Sequence, residues 1–390
     1  MRFQDSGYKR SGHGFEESLR YYFELHANII FVLLITTFAL MARIRLLGFE
    51  SVDYIQCLNP WYIKLQQEGF LAFKEKFSNY SAPYLYLLYL MTKTGLSSLY
   101  GVKIISIIAD IVMSLASFAL IRRLTDNKIA ALSGYALILL SPTVVLNGAA
   151  WGQCDAVFTC FIVIALYYLV CEKYFLSVLI YGIALSFKLQ AIFVLPVYVS
   201  LGLHGLFPLS YLLVCPVLYV VFHIPQIFVG AKISTIFFRT YAEQVRGFKD
   251  ITLNAPTLFA FCDNDNLLVQ KSFVNLGVGL ALTGSFLYHV NKALCRNKVL
   301  SCAFFSVFIP YVLPRMHERY FFIGDVLTII YACCRPSRFF VPIFVGVASL
   351  LSYMPFLLGR TVLPLPFAAS LMGLAAATLG MDLYKELRKP

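Results

Sequence analysis

NIIFVLLITTFALMARIRLL, residues 28–47, is an almost unbroken apolar run, and it decides the fold class. A hydrocarbon core of ~30 Å needs about twenty such residues per helical crossing, so the run predicts a membrane-spanning helix. Runs of similar character recur at 82–98, 101–121, 128–148, 156–171, 174–187, 189–203, 205–229, 267–290, 299–313, 319–334, 338–358 and 361–382. Only 13% of the chain is charged and 59% is hydrophobic, proportions outside those of a soluble domain. The expected fold is all-α: a polytopic membrane helical bundle of about 12–13 transmembrane helices forming one domain, residues 28–383.

Upstream of the first run, FEESLRYYFELH, Phe15 to His26, spaces aromatics and acids at helical intervals. It predicts an amphipathic helix on the membrane surface, within a cytoplasmic N-terminal segment of residues 1–27. These residues are too polar, and the run that follows too long, for a cleavable signal. Residues 384–390 are expected to form a cytoplasmic tail. Near the far end of the first run, Arg43 and Arg45 are expected either to snorkel outward or to meet a phosphate at the interface.

The formal net charge of +12 does not mark a nucleic-acid binder, because no compact basic patch carries interleaved aromatics. The basic residues fall between apolar runs, as the positive-inside bias requires. Ten scattered cysteines lack metal-like pairs or the spacing of secreted domains, so no disulfide framework is expected.

Orientation follows from the basic clusters. They lie at Arg122-Arg123 with Lys128, at Lys173, at Lys292, Arg296 and Lys298, at Arg335 and Arg338, and at Lys385, Arg388 and Lys389. All share one side only if 82–98 enters the membrane without crossing it. Pro83 and the tyrosines at 80, 84, 86 and 89 suit such a re-entrant or interfacial segment. Twelve full crossings then place both termini in the cytoplasm. On the opposite face fall a first outer loop, 48–81, with short juxtamembrane helices, and a second, 230–266. WGQCD (151–155), the break at Phe187 to Gln190 and PRMHER (314–319) emerge on that same outer face.

These polar stretches carry the chemistry. Asp53, in SVDY just past the first run, can accept a proton from an attacking hydroxyl; the plainer reading is a loop acid or helix cap. Trp151 and Gln153 are a pair suited to stacking on and hydrogen-bonding a sugar, with Asp155 opening the next helix inside a polar cavity. An interfacial Trp with Asp155 as a cap is the alternative. Lys188 interrupts ALSFKLQAIFVLP, and an unpaired ammonium mid-helix costs roughly 2.5 to 3.5 kcal/mol. It therefore faces an anion such as a phosphate, or a structural partner such as Asp110 or Asp155. PRMHERYFF gathers Arg315, His317, Glu318 and Arg319; arginine is the planar donor suited to phosphate, whereas a short charged loop with an internal ion pair is the plain reading. No second histidine follows at metal spacing, so no metal site is expected. In the second outer loop, Arg246, Lys249, Asp250, Asn254 and Pro256 fit either a surface helix and turn or a lid over an acceptor.

Taken in order, these stretches resemble the GT-C fold glycosyltransferases, which take a sugar from a polyprenyl phosphate. SVDY, NPWY and FSNYSAP resemble the first outer loop of lipid-linked-oligosaccharide glucosyltransferases and of related bacterial and GPI-type mannosyltransferases. WGQCD, FKLQ with Pro196 downstream, LNAPTLF and MHERYFF follow in the same order, so the resemblance covers about residues 50 to 322. Two positions depart from the pattern: Ala82-Pro83 replaces an expected Pro-Pro, and Asn79 stands where an acid is frequent. The single acid of SVDY resembles transferases that move one sugar without a metal, more than it does oligosaccharyltransferases.

The resemblance implies an inverting glycosyltransferase that moves a single hexose from a polyprenyl-phosphate donor to a glycan, lipid-linked glycan or glycolipid. Asp53 would be the catalytic base. Arg315, His317, Arg319 and Lys188 would hold the donor phosphate. Trp151, Gln153, Asp155, Gln190, Tyr54, Trp61, Asn79 and Tyr80 would bind sugar or acceptor. No cofactor is expected, a divalent cation being left open, and the chain is expected to act in the bilayer as a monomer. Its compactness favours the outer face of a bacterial inner membrane over the endoplasmic reticulum. A transporter or lipid flippase is the alternative; it would show internal repeats and a charged mid-membrane path.

Overall fold

The structure, a computed structural model, describes residues 15–234, 236, 250–262 and 267–388. The start of the chain, along with Arg246 and Lys249 of the second outer loop, lies outside the described residues.

All thirteen apolar runs are helical. In chain order the helices are α1 (Phe15–Ile44), α2 (Asn59–Glu68), α3 (Ala82–Met91), α4 (Ser98–Thr125), α5 (Lys128–Leu139) and α6 (Pro142–Trp151). Then follow α7 (Asp155–Val170), α8 (Tyr174–Phe187), α9 (Leu195–Leu203), α10 (Val214–Phe228), α11 (Leu267–Val290), α12 (Lys298–Val312), α13 (Phe322–Cys334), α14 (Phe340–Leu358) and α15 (Leu365–Glu386). Among the described residues six are long and apolar enough to cross a membrane, or up to seven if α5 and α6, bent by 44° at the break before Pro142, form one span. The protein is therefore an integral, multi-pass membrane protein.

The remaining apolar helices are short for a physical reason. At 1.5 Å per residue, the sixteen residues of α7 reach about 24 Å and the thirteen of α13 about 20 Å. Helices α7, α8, α12 and α13 each start or stop beside the same polar cluster, at Asp155, Lys188, Leu313 and Phe322 respectively. Hydropathy reads such a helix as a span, while its polar end sits where a full-length span would continue.

The cluster also sets a common direction. Helices α4, α7 and α13 run away from it and α12 runs toward it, so Thr125, Val170, Cys334 and Lys298 meet at the far end. There the basic residues Arg296, Lys298, Arg335, Arg338 and Lys385 gather. The segment 82–98 contains α3, which is shorter than a full span. Its ten residues span about 15 Å, and both flanks are tied to α2. Trp61 packs on Tyr80 at 5.2 Å before it, and the Tyr62 hydroxyl lies 2.9 Å from the Met91 carbonyl and 3.1 Å from that of Leu96 after it.

Helix α1 takes in the stretch expected to lie flat on the membrane, so residues 15–27 are continuous with the helix of the first span, which itself covers His26–Ile44. Its outward face exposes Ile29, Leu33, Leu34, Phe38 and Met41. It is held at its end by charge. Arg43, expected to snorkel or meet a phosphate, is instead buried and pairs with Asp110 of α4, its Nε and Nη2 at 3.0 and 2.9 Å from Oδ2. A buried guanidinium needs such a carboxylate. Lys103 Nζ donates to the carbonyls of Leu46, Leu47 and Phe49, at 3.0, 2.9 and 2.6 Å, tying the turn that follows the helix end to α4.

Among the described residues the only strands are β1 (Thr252–Leu253) and β2 (Met316–His317), which pair in parallel. They fasten the end of the second outer loop to the PRMHER stretch.

Candidate functional site

The site begins where α1 ends. Ser51 Oγ donates to the Trp151 carbonyl at 2.9 Å and accepts from the Tyr54 N–H at 3.1 Å. This pins the start of the first outer loop to the turn between α6 and α7. That turn requires Gly152, whose φ of +78° lies in the left-handed region that side chains disfavour. Asp53 is thereby brought against Trp151 and Gln153, one hundred or so residues away in sequence.

One carboxylate oxygen of Asp53 is fully occupied. Oδ2 accepts from Trp151 Nε1 at 3.0 Å, Gln153 Nε2 at 2.5 Å and Arg319 Nη1 at 3.4 Å. No donor among the described residues reaches Oδ1, and the side chain keeps 24% of its exposure. An anchored carboxylate with one oxygen free has the geometry of a proton acceptor.

Gln153 is set from both sides. Its backbone N–H donates to Asn147 O at 3.0 Å, and its carbonyl accepts from Ser106 Oγ at 2.5 Å. The Tyr80 hydroxyl donates to its Oε1 at 2.6 Å. Burial, aided by the carboxylates of Asp155 and Asp53, pushes the Tyr80 phenol well above its ordinary pKa and keeps it a donor. The amide must then turn its NH₂ toward Asp53.

A second charge pair lies behind. Lys188 Nζ is hydrogen-bonded to Asp155 Oδ1, and Asn147 Nδ2 donates to Asp155 Oδ2 at 2.9 Å. Both charged groups are nearly inaccessible, with side-chain exposures of 8% and 2%. Lys188, expected on the donor phosphate, and Asp155, expected on sugar, are thus spent on each other. Desolvating an ammonium is too costly to leave it unpaired. Arg319 joins the pairs, with Nε 3.9 Å from Asp155 Oδ2 and Nη1 3.3 Å from Glu318 Oε1. Three carboxylates, Asp53, Asp155 and Glu318, face two cations here.

Another cation of the PRMHER stretch is Arg315. Its φ of +60° is strained for a side-chain-bearing residue, and its N–H is held by the Ile251 carbonyl at 2.5 Å. Arg315 lines a mostly apolar cleft of about 290 Å³ with Gln190, Phe193, Val274, Leu313 and Tyr320. His317 Nδ1 lies 3.8 Å from Glu318 Oε2. Burial is the main cause that holds its imidazole below its usual pKa, Glu318 opposing this in part.

Other residues expected on sugar take structural places. Trp151 is fully buried, stacked on Phe356 at 4.9 Å and edge-on to Tyr353 at 5.2 Å, so neither face is open to a sugar and only its N–H serves the site. Tyr54 is buried with its hydroxyl 2.7 Å from Ser98 Oγ, and Trp61 is buried behind Tyr80. Asn79 is exposed, and Gln190 is buried along the cleft wall. Asn147, which holds Asp155, was not singled out from the sequence, whereas the ion pair of Glu318 with Arg319 is the internal pair that the plain reading of PRMHER describes. The place of Asn147 inside LNGAAWGQCD was the available signal for it.

No family model matches the chain, and comparison with curated proteins gives no match. Among solved structures, the Archaeoglobus fulgidus oligosaccharyltransferase, tethered to an acceptor peptide containing the NVT sequon, matches over 93% of this chain and 55% of its own, at 13% identity and a TM-score of 0.46. The same enzyme in its apo form matches over 90% and 55%, at 13% identity and a TM-score of 0.42. The chain thus spans about half the length of the structures it matches, and the functional reading rests on the geometry of the site.

Proposed function

We propose that the protein is a GT-C type glycosyltransferase that moves a single sugar, with inversion, from a polyprenyl-phosphate donor to an acceptor hydroxyl. One observation carries the reading: Asp53 is fixed through Oδ2 by Trp151, Gln153 and Arg319 while no donor among the described residues reaches Oδ1; the PRMHER stretch that supplies Arg319 also supplies Arg315 to the wall of an apolar cleft.

The acceptor O–H gives its proton to Asp53 Oδ1 as its oxygen bonds to the anomeric carbon. The bond from that carbon to the phosphate oxygen breaks, and the polyprenyl phosphate leaves with the electron pair. Arg315 offsets the growing charge on the leaving oxygen, and neutral His317 supplies a hydrogen bond. The apolar cleft takes the first isoprene units, as its Phe193, Val274 and Leu313 walls suit. Arg319 positions Asp53 rather than holding phosphate, because carboxylates already surround it. Lys188 and Asp155 form the rigid floor. The reading places the reaction on the outer face of the membrane, with a hexose such as mannose or glucose as the transferred sugar.

The test is transfer by the purified protein from a panel of polyprenyl-phosphate monosaccharides, with Asp53→Asn as control. Turnover in the wild type and its loss in a folded Asp53→Asn protein are expected. Wild-type turnover in that variant would overturn the assignment of the base, and vectorial lipid or sugar movement without bond cleavage would favour a transporter.

A further inference from the structure

A second cavity lies at the far end of the bundle, across the membrane-spanning body from Asp53. Its volume is about 540 Å³, within the range of small-ligand sites. The ends of α4, α7, α13 and α15 and the start of α12 surround it, so it opens where these helices leave the apolar layer. Val170, Val299 and Cys334 provide an apolar part of the wall, and Arg296, Lys298 and Arg335 provide charge opposed by Glu386.

Cations near the C-terminal ends of helices need no ligand to explain them, since the exposed carbonyls attract them. Lys298 partly answers to this, donating to Leu169 O at 3.0 Å. Arg335 does not. The acid it faces, Asp382, is 3.9 Å away and is already held by Arg338, whose Nε and Nη2 are each 2.6 Å from its oxygens. Lys385 approaches the same acid at 3.7 Å. One carboxylate therefore serves three cations, and the Arg335 side chain, 39% exposed, has its strongest contact with the Tyr331 hydroxyl at 3.3 Å. The positive charge lies against a cavity whose wall is in part apolar, at the ends of helices long enough to cross a membrane.

We propose that this cavity binds the phosphate group of an anionic amphiphile, with Arg296 and Arg335 as its planar donors and the Val170 and Val299 wall against its apolar part. A phospholipid headgroup and a soluble phosphate ester share this chemistry. Basic pockets between helix ends are suited to anionic headgroups, and two arginines match phosphate geometry better than lysines do.

Thermal unfolding of the full chain in neutral detergent tests the site, with phosphatidylglycerol, phosphatidylcholine or inorganic phosphate added at matched ionic strength. Phosphatidylglycerol is expected to raise Tm by several degrees over phosphatidylcholine. The Arg296→Gln/Arg335→Gln double variant should lose that increment, and Arg335→Lys should keep part of it. Arg296 is exposed, so Arg296→Gln alone serves if the double variant does not fold, and it should lose a measurable part of the increment. An equal, arginine-dependent increment from inorganic phosphate would support the phosphate site and assign a soluble source. No increment from either additive, or the same increment in wild type and variants, would overturn the proposal.

Discussion

Tyr80 donates to Gln153 Oε1 at 2.6 Å, and this bond decides which end of the Gln153 amide meets Asp53. An amide can rotate by half a turn with little change in shape, and here the phenol forbids the wrong orientation. Tyr80→Phe should therefore lower kcat about tenfold, the worth of one hydrogen bond of about 1.4 kcal/mol, with KM for the donor little changed. Gln153→Glu, which sets a second carboxylate against Asp53, should cost more. Steady-state transfer assays on the two variants distinguish these outcomes from a packing defect, which would lower Tm together with kcat.

Removing the base should separate chemistry from folding. Asp53→Asn keeps an acceptor oxygen for Trp151 Nε1 yet cannot take a proton. Transfer should fall by about 10² to 10⁴, or about 3 to 5 kcal/mol in the barrier, with Tm within a few degrees of wild type. Single-turnover measurement with prebound donor checks this.

The floor of the site should respond in the opposite way. Lys188→Met alone strands the buried Asp155 carboxylate and should cost about 3 to 5 kcal/mol of stability. Lys188→Met combined with Asp155→Asn should recover most of that loss, because no unpaired charge remains. Denaturation in detergent of the two single variants and the double gives the coupling directly; additive losses would refute the pairing.

The pH dependence of stability follows from His317. Its pKa in the folded protein lies below the unfolded value of about 6.5, so only the unfolded chain gains a proton as pH drops through that value. Stability should be level above pH ~6.5 and fall below it until the folded pKa is reached. His317→Gln should flatten that part of a Tm-versus-pH curve. A steeper fall in the variant would show that another group controls the slope.

The sequence made some of this legible and hid the rest. Apolar runs gave every long helix, because burial in lipid is a local, additive property of a window. Hydropathy did not separate α7 or α13 from a full span, since a helix that stops at an internal polar cluster is as apolar as one that continues. Asp53, WGQCD and MHER were brought to one place by the basic clusters, which orient the loops. The fates of individual side chains were not legible in the same way. Lys188 advertised its need for an anion, yet 33 residues separate it from Asp155, and a phosphate would have met that need equally well. Trp151 resembled a sugar platform until Tyr353 and Phe356, some two hundred residues later, covered its ring. Arg43 was read as an interfacial residue because its partner, Asp110, lies on another helix.

That latch between Arg43 and Asp110 has a consequence for how the chain is made. Helix α1 leaves the ribosome well before α4, carrying a guanidinium that costs roughly 2.5 to 3.5 kcal/mol in the middle of a bilayer. Until Asp110 and Lys103 arrive, Arg43 must stay hydrated and the carbonyls of residues 47 and 49 must bond to water. Helix α1 therefore reaches its final depth only when α4 docks, and biogenesis of the first outer loop, with Asp53 on it, waits on a helix translated some sixty residues later.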